Sequence, residues 1–598
     1  MSVDRRRVRP SGTAPPWSKR RPFGCRHYDA LLVAVLALAG IGSAGAQEVD
    51  AHRCRALAES MQGRWPDAST RVVSAVLRPQ GPYTPPPMPG GLAPATLTLP
   101  EHCEVLGILH ERIGAAGQHY AIRFHLRLPT RWNGRFFFQG GGGSNGVVGD
   151  ALGPTASNAP PAIVQGFAVV SQDSGHDNAI NSDPTRGGVL AFGFDAQARA
   201  DYGHASLKVV ADAAKAAVKL YYGKAPRFSY FVGCSKGGQE GMAFAQRYPE
   251  EFDGIVAAAP GFSLPRAAVA EAWDVQSIAA LARSRDEHGD ALGHFADAFS
   301  DADLRLVQDA ILSACDADDG VKDGIVGNFM QCTDAKVRPA VEAKICSAEK
   351  SPDCLSKDQI TALERVFAGP HDSAGHALYA DWQWDAGIAG PGWRLWKLGS
   401  ADHKIPALNI ALGGASLAAV FTTPPTALAA EPRASANYQL IFSFDRDAAK
   451  IYATDVQFVH SAWDDIAARS SDLDRFRAHG GKLIVPHGVS DPVFSIHDTL
   501  AWYREVDARN HGHAERFVRV FPVPGMAHCG GGPATDLYDA FSALTEWVER
   551  GRAPDRILAS AGMASPWPGR TRPLCPYPGA AHYDGSGDIE KADSFVCR

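Results

Sequence analysis

The chain has 598 residues, 45% of them hydrophobic and 21% charged, with a formal net charge of −6 at pH 7. That length buries a large core and exceeds one simple domain, and the ordinary apolar-to-charged balance excludes a disordered or fibrous protein. The acidic sign argues against nucleic acid or an anionic membrane as partner.

Residues 1–46 stand apart. Arg5, Arg6, Arg7, Arg9, Lys19, Arg20, Arg21 and Arg26 precede an apolar run over 30–42, and Ala44-Gly45-Ala46 then supplies small residues before Gln47. The run is too short to span a bilayer, so it reads as a secretory signal peptide and not as an anchor. Arg20-Arg21-Pro22-Phe23 only faintly resembles a twin-arginine export signal. No later stretch is apolar enough for a membrane helix, so no membrane insertion is expected once the signal is removed. Its removal takes away eight basic and two acidic residues and leaves the mature chain near −12. Of the eleven cysteines only Cys25 goes with it, and the ten that remain in an exported, secreted or periplasmic protein read as five disulfides.

The mature chain begins with a stretch rich in proline and glycine between Cys54 and Cys103, which a bridge between the two would staple. Residues 121–128 alternate with a period of two, as a half-buried strand does. Arg135-Phe136-Phe137-Phe138-Gln139 follows and runs into Gly140-Gly141-Gly142-Gly143. A glycine run after an early strand lets backbone amides approach a substrate carbonyl oxygen, because no Cβ intervenes. No Lys-Ser/Thr follows it, which argues against a phosphate loop. Residues 163–171 are expected to form a strand and Ser206–Tyr222 a helix, with His176 between them read as structural.

The most informative stretch is Gly233-Cys234-Ser235-Lys236-Gly237. Ahead of it Phe228-Ser229-Tyr230-Phe231-Val232 has strand composition, and residues 238–248 behind it have helical composition and stop at Pro249. Strand, Gly-flanked turn with a central serine, and helix make the nucleophile elbow of an α/β-hydrolase. A plain turn serine is the alternative. The helix aims its N-terminal amides at charge developing in acyl transfer. Ser235 is therefore the expected nucleophile, and the amides of Lys236 and of Gly142 or a neighbouring glycine the expected oxyanion hole.

A buried strand is expected over 253–260. From 261 to 471 the strand–helix alternation lapses, and the segment reads as a lid domain inserted into a catalytic domain of residues 47–260 and 472–598. It carries Trp382, Trp384, Trp393, Trp396 and Phe421, which either line a pocket for an aromatic ester or form the lid's own core. It also carries Asp316-Ala317-Asp318-Asp319-Gly320-Val321-Lys322-Asp323-Gly324-Ile325 between Cys315 and Cys332. Dense carboxylates with interleaved glycines suit a hard cation such as Ca²⁺, although no glutamate closes the loop as in an EF-hand. Asp316, Asp319 and Asp323 with the carbonyls of Val321 and Ile325 are the candidate ligands of a structural ion; a solvated acidic turn is the alternative.

Alternation resumes with a strand at 482–486 and Asp491 just beyond it. A further strand at 517–523 precedes Pro524-Gly525-Met526-Ala527-His528-Cys529. Ser235, Asp491 and His528 stand in the hydrolase order of nucleophile, acid and base, with Asp498 and Asp536 as weaker rivals for the acid and His487 and His497 as supporting or surface groups. Cys234 precedes the serine and Cys529 follows the histidine, so a Ser235–His528 hydrogen bond would bring the two cysteines near disulfide distance.

Gly233-Cys234-Ser235-Lys236-Gly237-Gly238, Gly525-Met526-Ala527-His528-Cys529 and Arg572-Pro573-Leu574-Cys575-Pro576-Tyr577-Pro578 together resemble the tannase and feruloyl esterase family, over nearly the whole mature chain. The resemblance implies a secreted serine carboxylic ester hydrolase with an α/β-hydrolase core and a large lid, cleaving esters of phenolic or aromatic acids without an organic cofactor. It also implies Ca²⁺ at Asp316, Asp319, Val321, Asp323 and Ile325, and bridges Cys54–Cys103, Cys234–Cys529, Cys315–Cys332, Cys346–Cys354 and Cys575–Cys597. Sequence alone allows many other pairings. The family includes an enzyme that hydrolyses mono(2-hydroxyethyl) terephthalate, whose pocket positions are matched by Leu264, Trp396, Ser416, Phe421 and Phe494. That enzyme holds the substrate carboxylate with a lid arginine, whereas residues 405–420 contain none. A buried carboxylate lacking a cationic partner is costly, so a feruloyl- or galloyl-type ester is the expected substrate and the terephthalate monoester the alternative. A peptidase or thioesterase on the same fold is a lesser rival. A non-catalytic binding module is a further alternative, disfavoured because all three triad residues are present.

Overall fold

The computed structural model describes residues 48, 50–86, 95–155, 159–283 and 292–598. The expected signal peptide, residues 1–46, lies wholly outside them. Two compact units are distinguished. In residues 1–52 only 48 and 50–52 are described, and they are helical.

Residues 53–598 are built on a nine-stranded sheet. Its strands are β1 (Arg71–Arg78), β2 (His102–Ile113), β3 (His119–Pro129), β4 (Arg135–Gln139), β5 (Ala168–Gln172), β6 (Phe228–Cys234), β7 (Gly254–Ala258), β8 (Lys482–Gly488) and β9 (Val518–Val523). The spatial order is β1-β2-β3-β5-β4-β6-β7-β8-β9. The first three strands and β5 pair antiparallel, and every pair from β5 to β9 is parallel.

The central strands are apolar on both faces because helices cover both. Successive side chains point to opposite sides, so Phe136, Phe138 and Phe231 pack with helix α1 (Ser206–Tyr222) and helix α2 (Lys236–Arg247). Phe137, Tyr230 and Val232 face the other way, against Phe541, Leu544 and Trp547 of the helix Ala540–Arg550.

The strand expected over 163–171 is shorter than its composition suggests. Only Ala168–Gln172 is extended. Ahead of it Val164 donates to the Pro161 carbonyl and Gly166, at φ +86°, donates to Ile163, so a turn consumes the backbone groups a longer strand would need.

Between β7 and β8 the described residues add no strand to the sheet. The segment opens with helix α3 (Leu264–Arg283). Its side chains do not form a separate core. Trp382, Trp384 and Trp393 lie in the same continuous apolar cluster as Phe231 and Leu483 of the sheet, and Trp384 stacks on Phe367 at 3.8 Å. Trp396 and Phe421 instead line the pocket over Ser235. Trp396 and Phe421 thus stand at the pocket, whereas Trp382, Trp384 and Trp393 pack into the core shared with the sheet and not into a core of the lid's own.

Candidate active site

Parallel sheets gather their functional groups at the carboxyl ends of the strands. Ser235 follows β6, Asp491 follows β8 and His528 follows β9. The elbow holds Ser235 at φ 64° and ψ −121°, a conformation L-residues rarely adopt. Three backbone bonds fix it: Ser235 N–H donates to the Ala258 carbonyl at 3.1 Å, and the Ser235 carbonyl accepts from Gln239 and Gly261 at 3.0 Å each. Gly237 can only be glycine, since a Cβ there would stand 2.6 Å from the Gly141 carbonyl oxygen.

That contact joins the elbow to the glycine run. Gly141 N–H donates to Glu240 Oε2 at 2.9 Å, and Tyr202 OH donates to the Gly143 carbonyl at 3.2 Å. Glu240 is completely buried, and its Oε1 accepts from Lys236 Nζ at 3.0 Å and Asn145 Nδ2 at 2.8 Å. Lys236 Nζ also sits 4.6 Å from the Tyr202 ring centroid. Burial pulls the Lys236 ammonium down against the support of Glu240. This buried pair anchors the glycine run to the first turn of α2. Sequence reasoning missed it, although the i, i+4 spacing of Lys236 and Glu240 was its only signal. Among the described residues the amides of Gly142 and Lys236 have no protein acceptor.

His528 Nδ1 is 2.8 Å from Asp491 Oδ2. Asp491 Oδ1 accepts from the Val493 and Phe494 amides at 2.8 and 3.0 Å. Burial opposes the charge of Asp491, but His528 and His487 facing it hold its carboxyl well below the ordinary range. His487, also buried, lies 3.5 Å from Asp491 Oδ2 and is fixed by Thr499 and the Phe494 carbonyl. The rival acids are engaged elsewhere: Asp498 with Arg469 at 2.9 Å and Asp536 with the Gly531 amide at 2.8 Å. His497 binds Asp381 and Gln383, and His176 is buried against Phe192 at 3.9 Å.

The imidazole of His528 is wedged edge-on between Trp396 and Phe494, at centroid distances of 5.7 and 5.2 Å. Its Nε2 is buried and makes no hydrogen bond among the described residues, so the Ser235–His528 bond is not formed here. Such bonds commonly tighten only when substrate is seated. The two loops are nonetheless tied covalently. Cys234 and Cys529 are bridged with Cα atoms 6.1 Å apart. The other expected bridges, Cys54–Cys103, Cys315–Cys332, Cys346–Cys354 and Cys575–Cys597, are also formed.

The pocket above Ser235 is lined by Leu264, Trp396, Ser416, Phe421 and Phe494, all five residues expected from the sequence. It is also lined by Glu271 of α3, which the sequence alone did not single out.

A second missed group is Asp385, fully buried in the segment between β7 and β8. Its Oδ1 accepts from Ser490 Oγ and, at 3.0 Å, from the Gly525 amide. It thereby clasps the loop of the acid to the loop of the base.

The acidic loop brings Asp316, Asp319 and Asp323 together as buried side chains, each accepting from amides of its own loop. Burial first, and then Asp323 and Asp316, push the Asp319 carboxyl up to about 7 despite the Val321 amide it accepts from. Asp323 is paired with Arg572 of the C-terminal segment. Among the described residues no three His, Cys, Asp or Glu side chains converge as a metal cage by themselves, so an ion here needs backbone carbonyls, of which Val321 and Ile325 are the expected pair. The donor set, hard oxygens only, fits Ca²⁺.

A family model described as tannase and feruloyl esterase matches residues 103–598. The chain is 45% identical over 552 residues to mono(2-hydroxyethyl) terephthalate hydrolase of Piscinibacter sakaiensis, covering 89% of each chain. In fold it is similar to feruloyl esterase B from Aspergillus oryzae (TM-score 0.70, 24% identity, 91% of this chain and 100% of that one). It is also similar to tannin acyl hydrolase from Aspergillus niger (TM-score 0.59, 19% identity, 90% and 94%). With the sheet order, the elbow and the match over residues 103–598 in agreement, this chain is a carboxylic ester hydrolase that belongs to the tannase and feruloyl esterase family.

Proposed function

We propose that the protein is a secreted serine esterase that cleaves esters of phenolic or aromatic acids. The observation that carries this reading is the meeting, at one pocket, of a strained elbow serine, an aspartate-held histidine and a wall of aromatic side chains. Ser235 Oγ attacks the ester carbonyl while His528 Nε2 takes its proton; collapse of the tetrahedral adduct returns that proton to the leaving alcohol. Water then attacks the acyl-serine, again through His528, and releases the acid. Asp491 holds the imidazole so that Nε2 faces the serine. The unpaired amides of Lys236 and of Gly142 or its neighbour Gly143 receive the oxyanion, each contributing about 3 kcal/mol of transition-state stabilisation.

We read residues 261–471 as the lid, since they supply Leu264, Trp396, Ser416 and Phe421 to the pocket. The five bridges support an oxidising, extracytoplasmic location. A structural Ca²⁺ held by Asp316, Asp319, Asp323 and the carbonyls of Val321 and Ile325 would neutralise a carboxylate cluster that Arg572 balances only in part.

Identity to a terephthalate monoester hydrolase favours a second reading, in which the acyl group carries a distal carboxylate. Against it, the buried cations Lys236 and Lys397 are already paired with Glu240 and Asp274, and no arginine lies in 405–420. Turnover of methyl ferulate, methyl gallate, chlorogenate and the terephthalate monoester by the purified enzyme discriminates the two. Ser235→Ala is expected to lower kcat on any of them by roughly 10⁴-fold or more; turnover near wild type would remove Ser235 from the reaction.

A further inference from the structure

Helix α3 carries Glu271 into the pocket that Ser235, Trp396, Phe421 and Phe494 line. The residue is 6% exposed, and among the described residues its carboxyl makes no hydrogen bond or ion pair. Room for it is made by Gly413 on the same wall, where a Cβ would collide with Glu271 Oε2. A buried polar group without a partner is unfavourable and is kept where a ligand completes it. The neighbouring ions do not complete it. One turn on, Asp274 takes Lys397 at 2.5 Å and Asn409 at 3.2 Å, which leaves Lys397 committed elsewhere.

Burial is the main influence on Glu271 and Asp274 adds to it, against the pull of Lys397, so its carboxyl is pushed up to about 8. Near neutral pH it holds its proton and offers one donor and one acceptor. A phenolic hydroxyl is also one donor and one acceptor, whereas an O-methylated ring offers no donor.

We propose that Glu271 is a specificity-determining residue, its carboxyl receiving a ring hydroxyl of the substrate at the Gly413 wall of the pocket. This rests on the aromatic-ester reading above and names the ring substituent that the site selects. A site built to hydrogen-bond a hydroxyl discriminates strongly against the analogue that lacks it, because the protein group is then left unpaired.

The test compares kcat/KM for methyl ferulate with that for methyl 3,4-dimethoxycinnamate, which differs only by methylation of the ring hydroxyl. The wild-type enzyme is expected to prefer the ferulate by roughly tenfold or more. Glu271→Leu is expected to bring the ratio close to one, and Glu271→Gln, which keeps a donor and an acceptor, to retain most of the preference. Loss of an unpaired buried carboxyl favours folding of the leucine variant. If it nonetheless fails to fold, the wild-type ratio and the glutamine variant still decide. A wild-type ratio near one overturns the proposal, as does an unchanged ratio in Glu271→Leu or a ratio collapsed to one in Glu271→Gln. Failure of the wild-type enzyme to hydrolyse either ester would instead sink the aromatic-ester reading itself.

Discussion

Ser235 and Glu271 show two ways in which single residues carry strain in this protein. At Ser235 the strain is in the backbone, on the order of 1–3 kcal/mol for such a conformation, and three main-chain bonds hold it in place. At Glu271 it is in the side chain, whose carboxyl reaches about 8 from an ordinary value near 4.3. The folded pKa lies above the unfolded one. Between the two values the unfolded chain has lost this proton while the folded chain keeps it, so rising pH favours unfolding. The slope is up to about 1.4 kcal/mol per pH unit, with a total on the order of 5 kcal/mol. Lys397 and Asp274 are the charged groups that act on it. Urea unfolding of wild type and Glu271→Gln across about pH 5 to 9 isolates the effect. The variant's advantage should grow up to about pH 8 and then level off. An advantage independent of pH would mean that Glu271 ionises normally. The serine was legible in the sequence because an elbow needs glycines at fixed offsets. The glutamate was not, because nothing in the sequence of a helix tells which charge a distant glycine such as Gly413 leaves room for.

At the scale of elements, the strands and the long helices were readable from periodicity and composition, and Ser206–Tyr222 matches its expected bounds. The exception at 163–171 turns on Gly166, whose left-handed conformation redirects the chain despite the β-branched residues around it. The inserted segment was readable as a break in alternation, but its attachment was not. Asp385 belongs to that segment, yet it holds Ser490 beside the acid and Gly525 before the base. Contacts of this kind join residues over a hundred positions apart and leave no periodic trace. Replacing Asp385 by alanine strands a buried hydroxyl and a buried amide, a loss of roughly 2–3 kcal/mol. Asp385→Ala is therefore expected to lower the unfolding midpoint. It should also reduce kcat more than it raises KM, because the acid and base loops lose register while the pocket walls remain. Unaltered kcat in a destabilised variant would restrict Asp385 to stability alone.

Across the whole molecule the C-terminal segment meets the acidic loop through residues that do not line the pocket. Arg570 donates to the Asp323 carbonyl at 2.6 Å and Arg572 pairs with the Asp323 carboxylate, while Cys315–Cys332 closes the loop that carries the other two aspartates. The Ca²⁺ proposed for this loop would link the two segments and stabilise only the folded chain, by an amount that grows with its concentration over its dissociation constant. Removing it should destabilise the molecule without disturbing Ser235, Asp491 or His528. Dialysis against a chelator is expected to lower the thermal midpoint by a few degrees, and Ca²⁺, rather than the smaller Mg²⁺ with its stricter octahedral demand, to restore it. Activity measured well below the midpoint should change little. Asp319→Asn should abolish the response to Ca²⁺, since among the described residues Asp319, unlike Asp323, is in no ion pair that could replace the ion. A wild-type midpoint indifferent to chelator would leave Arg572 on Asp323 and Lys336 on Asp318 as sufficient counter-charge for the loop.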